Sequence, residues 1–179
     1  MIDFKPFPKI ARLNREIVVT EKLDGTNALI HFEDDGTLYV GSRTRWITPA
    51  DDNYGFARWV EGNRSELEKL GPGSHFGEWW GGGIQRGYGL KEKRFSLFNT
   101  SRWGDDAVRP ACCGVVPVLY QGLMREDAIS DALNDLRTNG SVAAPGFMKP
   151  EGIVIFHTAA GIMLKVTCEK DESPKGEAR

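Results

Sequence analysis

Two Asp-Gly pairs, Asp24-Gly25 and Asp35-Gly36, constrain this chain most, because each follows a run suited to extended backbone. Asp-Gly favours tight turns between short strands. Glu16 to Lys22 (EIVVTEK) is β-branched and reads as a strand ending in the first pair. Asn27 to Glu33 (NALIHFE) and Thr37 to Ser42 (TLYVGS) flank the second pair as a hairpin. Upstream, Pro6 and Pro8 make residues 1–15 an extended lead-in.

The rest of the chain alternates between periods. From Asn53 to Leu70 the pattern is helical, with Phe56, Trp59, Val60, Leu67 and Leu70 near one face, until Gly71-Pro72-Gly73 stops it. Ser74 to Trp80 reads as a strand that runs into a Gly-rich loop from Gly81 to Gly89, followed by a short strand-like segment, Arg94 to Asn99. Val115 to Tyr120 reads as a buried strand. Arg125 to Thr138 is a helix striped by Ala128, Ile129, Ala132, Leu133 and Leu136 and ended by Asn139-Gly140. Gly152 to His157 and Gly161 to Thr167 form a hairpin around Ala159-Ala160. Hairpin-joined strands with interspersed helices indicate an α+β fold with largely antiparallel sheets flanked by helices. The last ten residues (KDESPKGEAR) read as a charged tail.

Composition narrows the function classes. At 179 residues and 40% hydrophobic, with five Trp and nine Phe, the chain can build one core. Its net charge of -2 excludes an overall basic polynucleotide binder, so a nucleic-acid partner would need local Lys and Arg clusters. Three Cys without a CxxC pair argue against a disulfide framework and for a reducing compartment. No apolar run reaches the ~20 residues of a membrane helix, and MIDFKPFPKI lacks a signal-peptide core. The chain reads as soluble and cytoplasmic. His31, His75 and His157 lack ligand spacing and read as structural.

Chemistry concentrates in an ordered set of short segments. Lys22 stands between a strand and a turn with Glu21 and Asp24 beside it. Such a lysine is commonly a solvated charge, but its amine becomes a nucleophile when neighbours or a metal favour deprotonation. Glu78 ends the aromatic strand of GEWWG, Glu151 opens the apolar strand of EGIVI, and Lys165 lies on the following strand (MLKVT). Arg43 and Arg45 alternate on or just after a strand and so point the same way. Taken together, these are the parts of phosphoryl transfer, in which positioning and charge neutralisation dominate.

The order EKLDGTN, SRTR, GEWWGGG, KRFSLFN, EGIVI, MLKVT resembles the covalent nucleotidyltransferase superfamily of ligases and mRNA capping enzymes. It is most similar to the ATP-dependent RNA ligases of the second T4 phage and trypanosome editing type, whose first motif reads E-K-x-(D/H)-G-T-N. Asn27 stands where DNA ligases and capping enzymes usually carry Arg. The resemblance implies an ATP-grasp-like ligase domain over residues 1–168, with 169–179 as tail and no appended OB domain. It implies that Lys22 takes AMP from ATP, passes it to a 5′-phosphate and regains its free amine as a 3′-hydroxyl displaces AMP. The nucleotide site it implies comprises Glu21, Asp24, Gly25, Asn27, Arg43, Glu78 on the ribose, Phe95 or Phe98 on adenine, Ile153 as the opposite wall, and Lys165 on the α-phosphate. Glu151 would hold Mg²⁺ or Mn²⁺, while Arg43, Arg45, Gln85 and Arg86 would meet the polynucleotide, an RNA or a nicked duplex. Lys91, Lys93 and Arg94 could add local positive charge.

The related ligases commonly carry K-x-K in the last motif, where this chain has Met163 before Lys165. That departure bears on the rate of self-adenylylation, and Lys149 could substitute. The alternatives are a minimal ATP-dependent DNA ligase and a catalytically idle binder of nucleic-acid ends; no protein partner is indicated. Small ligases of this type suggest a phage or bacterial source.

Overall fold

Period-two burial in Glu16–Lys22 marks a strand with one face inward: Ile17, Val19 and Glu21 are buried while the residues between them are not. The computed structural model describes residues 2–169 and 171–172. In chain order these form β1 (Glu16–Lys22), β2 (Thr26–Phe32), β3 (Leu38–Gly41), β4 (Trp46–Ile47), α1 (Phe56–Gly62), α2 (Arg64–Leu67), β5 (Gly73–Gly81) and β6 (Lys93–Leu97). There follow α3 (Thr100–Trp103), β7 (Gly114–Val115), β8 (Val118–Leu123), α4 (Glu126–Asn139), β9 (Gly152–His157) and β10 (Ile162–Thr167).

The strands make a four-stranded sheet, β10-β9-β1-β8, and a six-stranded sheet, β4-β3-β2-β5-β6-β7. Every pairing is antiparallel except β6 with β7. The expected α+β fold with largely antiparallel sheets and flanking helices is what the chain adopts.

Among the described residues, three apolar clusters hold these layers. Ala28, Ile30, Trp79, Phe95 and Leu97 cover one face of the larger sheet and meet Phe56, Val60 and Leu67 of α1 and α2. Ile17, Val19, Ile153 and Ile155 of the smaller sheet bury the stripe of α4, Ala132, Leu133 and Leu136. Between the sheets, Leu23, Trp80, Tyr88, Val116 and Ala144 form the third cluster.

The chain passes between the sheets twice, and both passages define the site. Leu23 to Gly25 carries it from β1 to β2, so the first Asp-Gly pair is a crossing and not a hairpin. Val116-Pro117 carries it from β7 to β8, which splits the strand expected over 115–120; Pro117 accepts from the Glu21 N–H. The expected helix over 53–70 is also broken, at Asn63, whose side-chain amide turns back to the Trp59 carbonyl. Asp35-Gly36 does close a hairpin, and the helix expected over 125–138 forms at Glu126–Asn139. Residues 2–15 form no strand or helix. Of the charged tail, residues 170 and 173–179 lie outside the described residues. No helix among the described residues is long and apolar enough to cross a membrane.

Candidate active site

Lys22 is the last residue of β1 and faces the opposite side of its sheet from Glu21. Its Nζ donates to Glu151 Oε2 at 2.7 Å, with the lysine side chain 21% exposed and the glutamate 2%. The register explains the meeting, since Lys22 lies opposite Gly152 and Glu151 directly precedes β9. A buried carboxylate facing an accessible amine is costly unless paired, so each group fixes the other.

Glu78 approaches from the other sheet. Its Oε1 accepts from the Gly25 N–H at 3.0 Å and its Oε2 from Asn27 Nδ2 at 3.2 Å. Burial pushes its carboxyl up to about 7; the Gly25 N–H and Lys22 oppose the rise, and the charges of Glu151 and Asp24 add to it. Gly25 is required by contact here: a Cβ on it would stand 2.4 Å from the Trp79 carbonyl oxygen and 2.7 Å from Trp80 Cβ. The crossing therefore lies directly on β5, and Glu78 accepts its hydrogen bond.

The Gly-rich loop locks the crossing in place. Arg86 Nε donates to Asp24 Oδ2 at 2.9 Å and its Nη1 donates to the Lys149 carbonyl at 3.0 Å. One guanidinium thus joins the segment after Lys22 to the segment before Glu151. Tyr88, buried against Trp80 and Phe147, accepts from the Asp24 N–H at 2.8 Å. Gln85 is exposed in the same loop with φ 44°.

Several expected site residues lie elsewhere. Phe95 is 1% exposed in the core, its ring centroid 5.1 Å from Phe56, so its place is structural. Alternation puts Phe98 on the Glu78 face, 38% exposed, with its N–H bonded to the Phe76 carbonyl. Ile153 is fully buried against α4, on the face away from Lys22; Val154, opposite Thr20, shares the face of Lys22. Glu21 is buried too, and its carboxylate accepts from Ser141 Oγ and from the Val142 and Ala143 N–H groups. Burial raises its pKa against those bonds. It anchors the loop after α4 and does not reach the cleft.

Arg43 and Arg45 do not alternate on a strand. They belong to the turn Ser42–Arg45, closed by the Ser42 N–H to the Arg45 carbonyl at 2.8 Å, and Arg45 is held by both oxygens of Asp51. Arg43 is exposed and makes no ion pair among the described residues. Lys165 sits on the edge strand β10 opposite Val154, on the Lys22 face, with Met163 two residues further along that face.

Tyr88, Ser141 and Val154 were not identified from the sequence. Tyr88 sits in a loop without period, and Ser141 and Val154 depend on pairings over long sequence separations.

Among the described residues no cluster of three or more His, Cys, Asp or Glu could cage a metal ion. The buried carboxylate of Glu151 suits a hard divalent cation that takes its other ligands from phosphate and water. A hollow of about 310 Å³ lined by Trp80, Lys93, Arg94 and Cys112 opens at the β6–β7 edge, apart from Lys22.

The family model for RNA ligase matches residues 15–167, and the chain belongs to that family. Among solved structures it is similar to a Naegleria gruberi RNA ligase mutant with AMP and Mn, at 19% identity and a TM-score of 0.59, over 87% of this chain and 50% of that one. Another mutant of that ligase, with ATP and Mn, gives 19% identity and a TM-score of 0.62, over 90% and 52%. At such identity the likeness is one of fold. The chain spans about half the length of these solved relatives. No curated protein matches it.

Proposed function

We propose that the chain is the adenylylation unit of an ATP-dependent RNA ligase that carries AMP on Lys22. The observation that carries this reading is the Lys22–Glu151 pair at the crossing, with Glu78 facing it from the second sheet. An amine fixed at a strand end by a buried carboxylate is a nucleophile held in place, and a cation bound beside it would favour its neutral form.

In the first step the neutral Lys22 amine attacks the α-phosphorus of ATP. The N–P bond forms, the bond to the β-phosphate oxygen breaks, and pyrophosphate leaves. Glu151, 2.7 Å from Nζ, orients the amine, and the proton that the nitrogen sheds on N–P bond formation passes to solvent water. Glu78 and Asn27 face the ribose, Phe98 and Val154 supply apolar walls for adenine, and Lys165 offsets charge on the α-phosphate. A divalent cation held by Glu151 and phosphate oxygens would supply charge neutralisation at the reacting phosphate. In the second step a 5′-phosphate oxygen attacks the same phosphorus and frees the Lys22 nitrogen. In the third, a 3′-hydroxyl attacks the 5′-phosphate and AMP leaves. Arg43 would meet the ribose or the 5′-phosphate of the substrate.

Ligation of nicked duplexes with 3′-ribose or 3′-deoxyribose at the junction tests the substrate class. Sealing at the ribose terminus with little at the deoxyribose is the expected result. Equal sealing of both would favour a DNA ligase. Failure to seal either a nick or a pre-adenylylated end would favour a binder of nucleic-acid ends.

A further inference from the structure

Beyond Asn27 and Glu78, the same face of the larger sheet carries an aromatic group that the proposed chemistry does not use. Pairing sets its layout: His31 lies opposite Tyr39, Leu29 opposite Gly41, and Gly41 opposite Trp46. Gly41 leaves room for the indole, since a Cβ there would stand 3.3 Å from Trp46 Cε3 and 3.3 Å from Leu29 Cβ. Tyr39 and Trp46 have ring centroids 5.5 Å apart, and His31 is 6.3 Å from each. Trp46 is 55% exposed and Tyr39 43%. The core lies on the other side of the sheet, so nothing in the fold requires these rings to be outside. A cluster of exposed aromatic rings of this kind is a candidate binding surface.

We propose that this face is a stacking platform for unpaired bases of the RNA strand, next to the adenylylation site. The proposal rests on the ligase reading and extends it to a separate subsite. Three observations favour a polynucleotide over another protein surface. Tyr39 and Trp46 are partly exposed aromatic rings, and stacking on such rings serves every base regardless of sequence. Arg43, exposed in the turn just before Trp46, provides a cation for a backbone phosphate. The platform is also continuous with the site: β4 is three strands from β5, which carries Glu78, or about 14 Å at usual strand spacing. A strand lying on Tyr39 and Trp46 therefore leads toward Lys22. The nearby Glu33 is turned to His31, with Oε1 3.4 Å from Nε2.

The test uses a short fluorescein-labelled single-stranded oligoribonucleotide and measures its binding to the full chain by anisotropy. In parallel, transfer of labelled AMP from ATP to Lys22 is measured. The double variant Tyr39→Ala with Trp46→Ala should bind the oligoribonucleotide roughly ten-fold or more weakly, from the loss of stacking, and should label with AMP as wild type does. The variant Tyr39→Phe with Trp46→Phe should restore binding. Wild-type affinity in the double Ala variant would overturn the proposal, as would failure of the wild type to bind the oligoribonucleotide while it still forms Lys22–AMP. Loss of binding and AMP transfer together would assign the rings to the fold or the nucleotide site instead. Dissociation of a wild-type dimer by the double Ala variant would assign the face to a second copy. If the wild type bound the oligoribonucleotide but took no AMP, the adenylylation reading would fail while the platform was still being read.

Discussion

Replacing Glu78 with Gln should make folding stability less sensitive to pH. Glu78 is 7% exposed, and burial raises its carboxyl from the ordinary 4.5 to about 7. The folded chain therefore keeps a proton that the unfolded chain releases above about pH 4.5, so unfolding gives up that proton. Stability from this group is full below pH 4.5 and is lost as pH rises through about 7. The whole span corresponds to about 3 kcal/mol at 1.36 kcal/mol per pH unit. Water reaching the cleft past Lys22, together with partial titration at the acidic end, reduces what an experiment between about pH 5 and 8.5 can read to about 2 kcal/mol. Gln has no such titration. Its oxygen can still accept from the Gly25 N–H, and the Asn27 amide can turn over to accept from its nitrogen. Urea unfolding of both proteins at the two pH values measures the difference in unfolding free energy. That difference should shift in favour of Gln by about 2 kcal/mol from acid to base, because the other titrating groups, Glu21 among them, are common to both proteins and cancel. A difference constant to within about 0.5 kcal/mol would refute the assignment of a raised carboxyl at this position.

Arg86→Ala removes the bridge between Asp24 and the Lys149 carbonyl; because this pair is partly exposed, stability should change by less than about 1 kcal/mol, whereas single-turnover AMP transfer should slow by about ten-fold or more from mispositioning. Equal rates for the two proteins would show that the loop does not position the site. Phe95→Ala should cost about 3–5 kcal/mol on urea unfolding, while Phe98→Ala should unfold like wild type and bind ATP more weakly in calorimetry; the reverse pattern would exchange their roles. Glu21→Ala leaves three donors without their buried acceptor and should lower stability by about 2–4 kcal/mol, with Glu21→Gln recovering part of it; an unchanged denaturation midpoint would contradict the anchor.

What the sequence could reveal depended on range. Residues whose geometry is set within a few neighbours were legible: the alternation of Glu16–Lys22, the Asp35-Gly36 hairpin and the stripe of α4. The pairing of Lys22 with Glu151 could be anticipated only from the order of motifs, since 129 residues separate them. Side-chain facing was harder. Phe95 and Phe98, or Ile153 and Val154, are equally apolar in sequence, and only the register against β5 and β1 decides which enters the core and which faces the cleft. Glu21 shows the same limit. Beside Lys22 it reads as part of the site, yet one step of strand alternation turns it to the opposite face. Arg45 misleads for another reason: its partner Asp51 lies beyond a turn, so a charge that reads as free is already committed.

Incubation with α-labelled ATP and Mg²⁺ or Mn²⁺, followed by denaturing electrophoresis of wild type and Lys22→Ala, tests the central claim most directly. A labelled band on the wild type, absent from the variant and stable to denaturation, is the predicted result. Label persisting on Lys22→Ala, or none on a folded wild type, would contradict the assignment of Lys22 as the carrier of AMP.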